Sequence, residues 1–121
     1  MTSSPTAARR RLTRSADFDA VYRRGRSCSS RHLVVSLFPR EDADAARVGV
    51  AVPRKVGNAV VRNRVKRQLR EAVAVPGFPL PGGSDMVIVA RAGAAEAIES
   101  QGFAWLVDEL RGLVAGGGAP A

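Results

Sequence analysis

The chain has 121 residues, of which 45% are apolar, and a formal net charge of +8. That length suits one domain and that apolar share can fill a core, while the charge points to an anionic partner such as nucleic acid. A single cysteine, Cys28, excludes an intrachain disulfide and a thiolate zinc site, and no apolar run is long enough for a membrane helix or follows the first arginines as a signal peptide requires, so a cytoplasmic protein without a membrane role is expected.

Residues 1–11 are small, polar and basic and read as a disordered arm. Ser15 can cap a helix over residues 16–24, with Asp17 and Asp19 near its positive end and Gly25 just past its close. Phe18, Val21 and Tyr22 share one face of it. Residues 27–38 read as a strand, bent or broken near Arg31. His32, the one histidine, has no local partner and reads as a surface residue on that strand. Residues 40–46 form a polar turn; Glu41, Asp42 and Asp44 could hold a hard cation, but a solvated turn is the simpler reading. Residues 47–52 are a second strand, closed by Pro53.

A helix follows over residues 58–73, then a Pro- and Gly-rich loop over 76–85. Residues 86–90 (MVIVA) are continuously apolar, as in a buried central strand. The last element is a helix over about 100–114 whose core face is Phe103, Leu106, Val107, Leu110, Leu113 and Val114, with Trp105 as an anchor. Residues 116–121 (GGGAPA) form a flexible tail, which leaves a single domain over 12–115. Helix, strands, helix, strand, helix is the order of an α/β sandwich in which helices cover one sheet.

The charge is clustered. Residues 9–31 and 53–75 each carry a net charge of +6, and the rest is neutral to acidic. The densest stretch is Arg62, Arg64, Lys66, Arg67 and Arg70, five cations within nine residues, with Asn63 among them. Val61, Val65, Leu69 and Ala72 fall at i, i+4, i+8 and i+11, one helical face. At ~100° per residue, Arg62, Asn63, Lys66, Arg67 and Arg70 occupy an arc of about 140° beside it. Like charges so spaced repel by a few tenths of a kcal/mol per pair. A phosphate backbone relieves that repulsion, and arginine's planar fork suits phosphate. Helix-start amides beside Gly57 and Asn58 would add an anion site of their own. Without the cluster's context, a solvated charged face would be the ordinary reading.

These residues carry a specific likeness. K-x-G-N-A-V-x-R-N-R-x-K-R at residues 55–67 resembles the signature of the bacterial ribonuclease P protein subunit. So do L-x-x-x-x-D-F-x-x-V-Y-x-x-G at 12–25, R-V-G-V-A-V at 47–52 and the strand ending V-A-R at 89–91. The resemblance spans roughly residues 9–114. It implies an α+β two-layer sandwich with three helices and a mostly antiparallel sheet of about four strands, related to a domain of a ribosomal small-subunit protein. It also implies a left-handed strand–helix–strand crossover, against the usual right-handed rule.

The implied activity is removal of the 5′ leader from precursor transfer RNA. In that family the catalyst is an RNA subunit and its magnesium is held mainly by RNA, so no catalytic or metal-binding side chain is expected in this chain. Carried over by position, Arg62, Asn63, Arg64, Lys66, Arg67 and Arg70 would meet the catalytic RNA. Phe18, Tyr22, Lys55 and Asn58 would meet the leader, Phe18 and Tyr22 by sequence-tolerant stacking. The sequence by itself also fits core roles for Phe18 and Tyr22. Ser36 stands where relatives can carry an aromatic, which implies a less adhesive cleft. The alternative is a structural RNA-binding protein of related fold, such as a ribosomal one, which would not need the aromatic helix. A self-contained nuclease would need clustered carboxylates or paired histidines, and neither is visible in the sequence.

Overall fold

The computed structural model describes residues 10–11, 26–40, 44–80, 82–116 and 119–120. The helix expected over residues 16–24, with Phe18 and Tyr22, lies outside them. The strands are β1 (Arg10–Arg11), β2 (Arg26–Ser29), β3 (Leu33–Pro39), β4 (Arg47–Ala51), β5 (Ser84–Ala90) and β6 (Ala119–Pro120). The helices are α1 (Ala59–Val73), α2 (Ala94–Gln101) and α3 (Phe103–Val114).

The sheet runs β1-β4-β5-β3-β2-β6. β4 pairs parallel with β5 and with β1, and the other pairings are antiparallel, so the sheet is mixed. β5 is central, and Met86, Val87, Ile88 and Ala90 are fully buried, as its unbroken apolar run requires. α1 connects the adjacent parallel strands β4 and β5, and this crossover places it over one sheet face. The two outermost strands come from the segments read as arm and tail. They pair with the open edges of β4 and β2, whose unpaired backbone groups invite such additions.

The core lies between that face and the helices. Leu33, Val35, Leu37, Val48, Val50, Met86, Ile88 and Ala90 meet Val65, Leu69 and Ala72 of α1 and Leu106, Leu110 and Leu113 of α3. Both helices bury most of the stripe that their periodicity predicts, Phe103 of α3 excepted. The alternate residues of the strands form the second face: Val34, Ser36 and Phe38 beside Val87 and Val89. Ser36 is buried there, 2.7 Å from the Ser27 hydroxyl across the β2–β3 pair.

The strand read over 27–38 as bent or broken near Arg31 is broken there: it is a hairpin, β2 and β3, turned at residues 30–32 and held by the Ser30 N–H on the Leu33 carbonyl at 2.8 Å. Other expectations change. His32 therefore sits in the turn, not on a strand surface. It is half-buried, with its ring edge-on to Trp105 at 6.2 Å. The last helix is two helices. Gly102, at φ +95°, closes α2 by donating to the Ile98 carbonyl, while its own carbonyl accepts from Leu106 to begin α3. A positive φ is cheap only for glycine and breaks the helical path. The break turns Phe103 outward, 41% exposed, instead of into the core.

Candidate nucleic-acid interface

α1 begins where a short turn, Arg54–Val56, leaves β4. Val56 is buried and anchors the turn, while Arg54 and Lys55 are exposed. Gly57 follows because the space above it is taken: a Cβ there would stand 2.7 Å from Val61 Cγ1. Val61 packs on the core, so no side chain fits without moving it. Asn58 is the N-cap. Its side-chain oxygen accepts the Val61 N–H at 2.9 Å and its carbonyl accepts from Arg62. Such a cap contributes about 1 kcal/mol. Asn58 is also exposed, as is Lys55.

The burial of Val65, Leu69, Ala72 and Val73 fixes which way the cations point. Asn63 and Arg67 are exposed; Arg64, Lys66 and Arg70 are half-buried along the flanks, where long basic stems can lie along the protein. Arg62 differs from expectation. It lies nearest the core side and its Nε donates to the Gly57 carbonyl at 3.1 Å, fastening the turn to the helix. Its role is divided between structure and surface charge.

The sheet register gathers around Lys55 three cations that sequence reasoning did not single out: Arg31, Arg54 and Arg91. Ala51 pairs with Val89 and Ala90 with Leu33. The C-terminal ends of β4 and β5 and the β2–β3 turn therefore emerge at one end of the sheet. Arg31, Arg54, Lys55 and Arg91 are all exposed there. Arg91 is held in place by its own bonds: its N–H donates to the His32 carbonyl at 2.8 Å, and its guanidinium donates to the Ser30 carbonyl at 3.0 Å. The available signal was that each of these residues directly follows a strand or sits in its turn.

Chemically, this surface can bind a polyanion. Among the described residues, no group of three or more His, Cys, Asp or Glu is placed to hold a metal ion. The buried carboxylate, Asp85, is taken: Arg40 donates to it at 2.6 Å and Arg47 at 2.6 and 2.7 Å. No helix of the described residues is long and apolar enough to cross a membrane.

The family model described as Ribonuclease P matches residues 7–115. The chain belongs to the ribonuclease P protein family. It is 46% identical over 93 residues to the ribonuclease P protein component of Brevibacillus brevis, covering 74% of each chain. It is 46% identical over 102 residues to that of Gluconacetobacter diazotrophicus, covering 84% of each. The solved ribonuclease P protein of Staphylococcus aureus superposes with a TM-score of 0.73 at 30% identity, over 87% of this chain and 92% of that one. That of Thermotoga maritima gives a TM-score of 0.73 at 30% identity, over 83% and 90%. In this ribonuclease P protein, the family signature at residues 55–67 therefore spans the turn, the cap and the first half of α1.

Proposed function

We propose that the outer side of α1 binds the catalytic RNA of a ribonuclease P holoenzyme and that the cationic sheet end, with Phe18 and Tyr22, binds the 5′ leader of precursor transfer RNA. The observation that carries this reading is the continuity of exposed charge. Arg54 and Lys55 in the turn lead into Asn58 at the cap and Arg67 on the helix, backed by a rigid core. Arginine along such a surface meets phosphates without demanding a sequence. A protein that serves many leaders needs that tolerance.

In this reading Arg64, Lys66, Arg67 and Arg70 neutralise phosphates of the catalytic RNA, with Asn63 as a polar contact and Arg62 contributing its remaining donors. Lys55, Asn58 and Arg91 steer the leader. The chain supplies binding and orientation, and chemistry falls to magnesium held by RNA. Asp85 is in no position to share that metal, because both its oxygens already accept from arginine. The location is the cytoplasm, where precursors and catalytic RNA meet.

Three experiments test this. The isolated protein, freed of RNA by nuclease treatment, should leave precursor transfer RNA intact; cleavage should appear only when the RNA subunit and magnesium are added. Cleavage by the protein alone would sink the assignment. Second, retention of ribosomal RNA, rather than one structured RNA of a different kind, after a moderate-salt wash would favour a ribosomal role. Third, Tyr22→Ala should weaken precursor binding by roughly 5–100-fold, the value of one lost stacking contact. Mature transfer RNA should hardly be affected. Equal loss for both species would place Tyr22 in the core.

A further inference from the structure

Val60 is 75% exposed, the most exposed large apolar residue among the described ones. A lone exposed valine is ordinary on a protein surface, but this one occupies a particular place. It is the second residue of α1, and Asn63, Arg64 and Arg67 follow at i+3, i+4 and i+7, the spacing of one ridge. Val65, Leu69 and Ala72, all fully buried, mark the opposite side. The ridge that Val60 begins therefore points directly away from the core.

Nothing among the described residues accounts for a valine here. The neighbouring Val61 is the residue that packs against Gly57 and the core. Helix propensity argues against it, since a β-branched side chain loses rotamer freedom in a helix, and alanine, lysine or glutamate would suit an exposed site better. Phosphate binding argues against it too, since an aliphatic group cannot attract an anion. An apolar body set beside Arg64 and Arg67 complements a whole nucleotide: phosphate for the guanidinium groups, ribose carbons or a base face for the isopropyl group. A base stacked within a duplex hides its face, so the complementary nucleotide is unpaired.

We propose that Val60 is an RNA-contacting residue that seats the ribose or base face of an unpaired nucleotide, with Asn63, Arg64 and Arg67 on the adjoining phosphates. The proposal rests on the reading of α1 as an RNA interface, and it has a separate signature. Phosphate contacts release counterions and are salt-dependent, whereas apolar burial releases none.

The test is binding of the full chain to the ribonuclease P RNA subunit of its source organism over a salt series, for Val60→Ala, Val60→Thr and Arg67→Ala. Val60→Ala should weaken binding by roughly 3–10-fold, the scale of one or two buried methyl groups, equally at every salt concentration. Its double-logarithmic line should lie parallel to that of the native protein. Its melting temperature should hold or rise, because alanine is the better helix former. Val60→Thr keeps the branched shape and should also lose affinity without a change of slope. Arg67→Ala should instead flatten the slope by about one. If both Val60 variants bind within about two-fold of native while Arg67→Ala flattens the slope, Val60 faces water in the complex and the proposal is wrong, although the interface stands. If Arg67→Ala also changes nothing, the interface itself is wrong. A fall of several degrees in the melting temperature of Val60→Ala, or a changed slope, would equally overturn the direct contact.

Discussion

The two ends of the sheet use arginine in opposite ways. At the end where β5 begins, Arg40 and Arg47 converge on Asp85, which is 1% exposed and accepts N–H groups from both. Arg40 also donates to the carbonyls of Ser84, Asp44 and Ala45, so it staples the β3–β4 connection to the start of β5. At the end where β5 finishes, Arg31, Arg54, Lys55 and Arg91 are exposed. Charge density along the chain sets Arg31, Arg54 and Lys55 apart from Arg40 and Arg47 but not Arg91, which lies in an equally neutral-to-acidic stretch. What decides is whether the fold brings a carboxylate to the guanidinium: a buried ion must be paired and hydrogen-bonded, whereas a solvated one is available to a partner.

The largest effect should come from breaking the first end. Asp85→Ala removes the carboxylate on which two guanidinium groups converge, Arg40 with only 9% of its side chain exposed. Stability should fall by about 3–5 kcal/mol, read by urea unfolding, while protein that remains folded keeps the native salt slope for RNA binding. A loss below about 1 kcal/mol would mean that the pairing does no more than a surface salt bridge.

Smaller in stability, and opposite in character, are changes on the proposed binding surface. Arg67→Ala and Lys66→Ala should alter folding by no more than about 0.5 kcal/mol. Each should flatten the double-logarithmic salt dependence of RNA binding by about one unit. Arg62→Ala should flatten the slope too, with some loss of stability, because its bond to the Gly57 carbonyl goes with it. If these variants keep the native slope, the two ends do not differ in function and the +8 charge acts as a diffuse field.

The smallest effect belongs to Arg111→Ala. Arg111 is exposed in the last turn of α3, outside both basic segments, so slope and affinity should stay near native. An effect there as large as at Arg67 would erase the contrast between a local surface and general charge.

Much of this arrangement is legible in the sequence because it is local. Helical periodicity gives α1 within a residue of its bounds and names its buried stripe, and Asn58 before an apolar-periodic run marks the cap. The RVGVAV run before Pro53 gives β4, and MVIVA gives the buried centre of β5. The cation cluster and the G-N-A-V-x-R-N-R signature point to the interface from the same stretch. The double role of Arg62 is less visible, since its position on the arc gives its direction but not its bond to Gly57.

The sequence alone thus determined the elements with a repeating apolar pattern, the face each buries, and the family, because spacing of 2 or 3.6 residues is written along the chain. The tertiary structure decided what depends on residues far apart. Asp85 reads as the end of a Pro- and Gly-rich loop and becomes the partner of arginines 45 and 38 positions before it. Residues 27–38 become a hairpin because β3 finds β5 on its other side. Phe103 turns to solvent because Gly102 changes the direction of the chain. Arg91 joins Arg54 and Lys55 because β4 and β5 run parallel and end together. No local pattern encodes strand order or register, since both are settled by which pairing buries the most apolar surface while leaving every charge paired or wet.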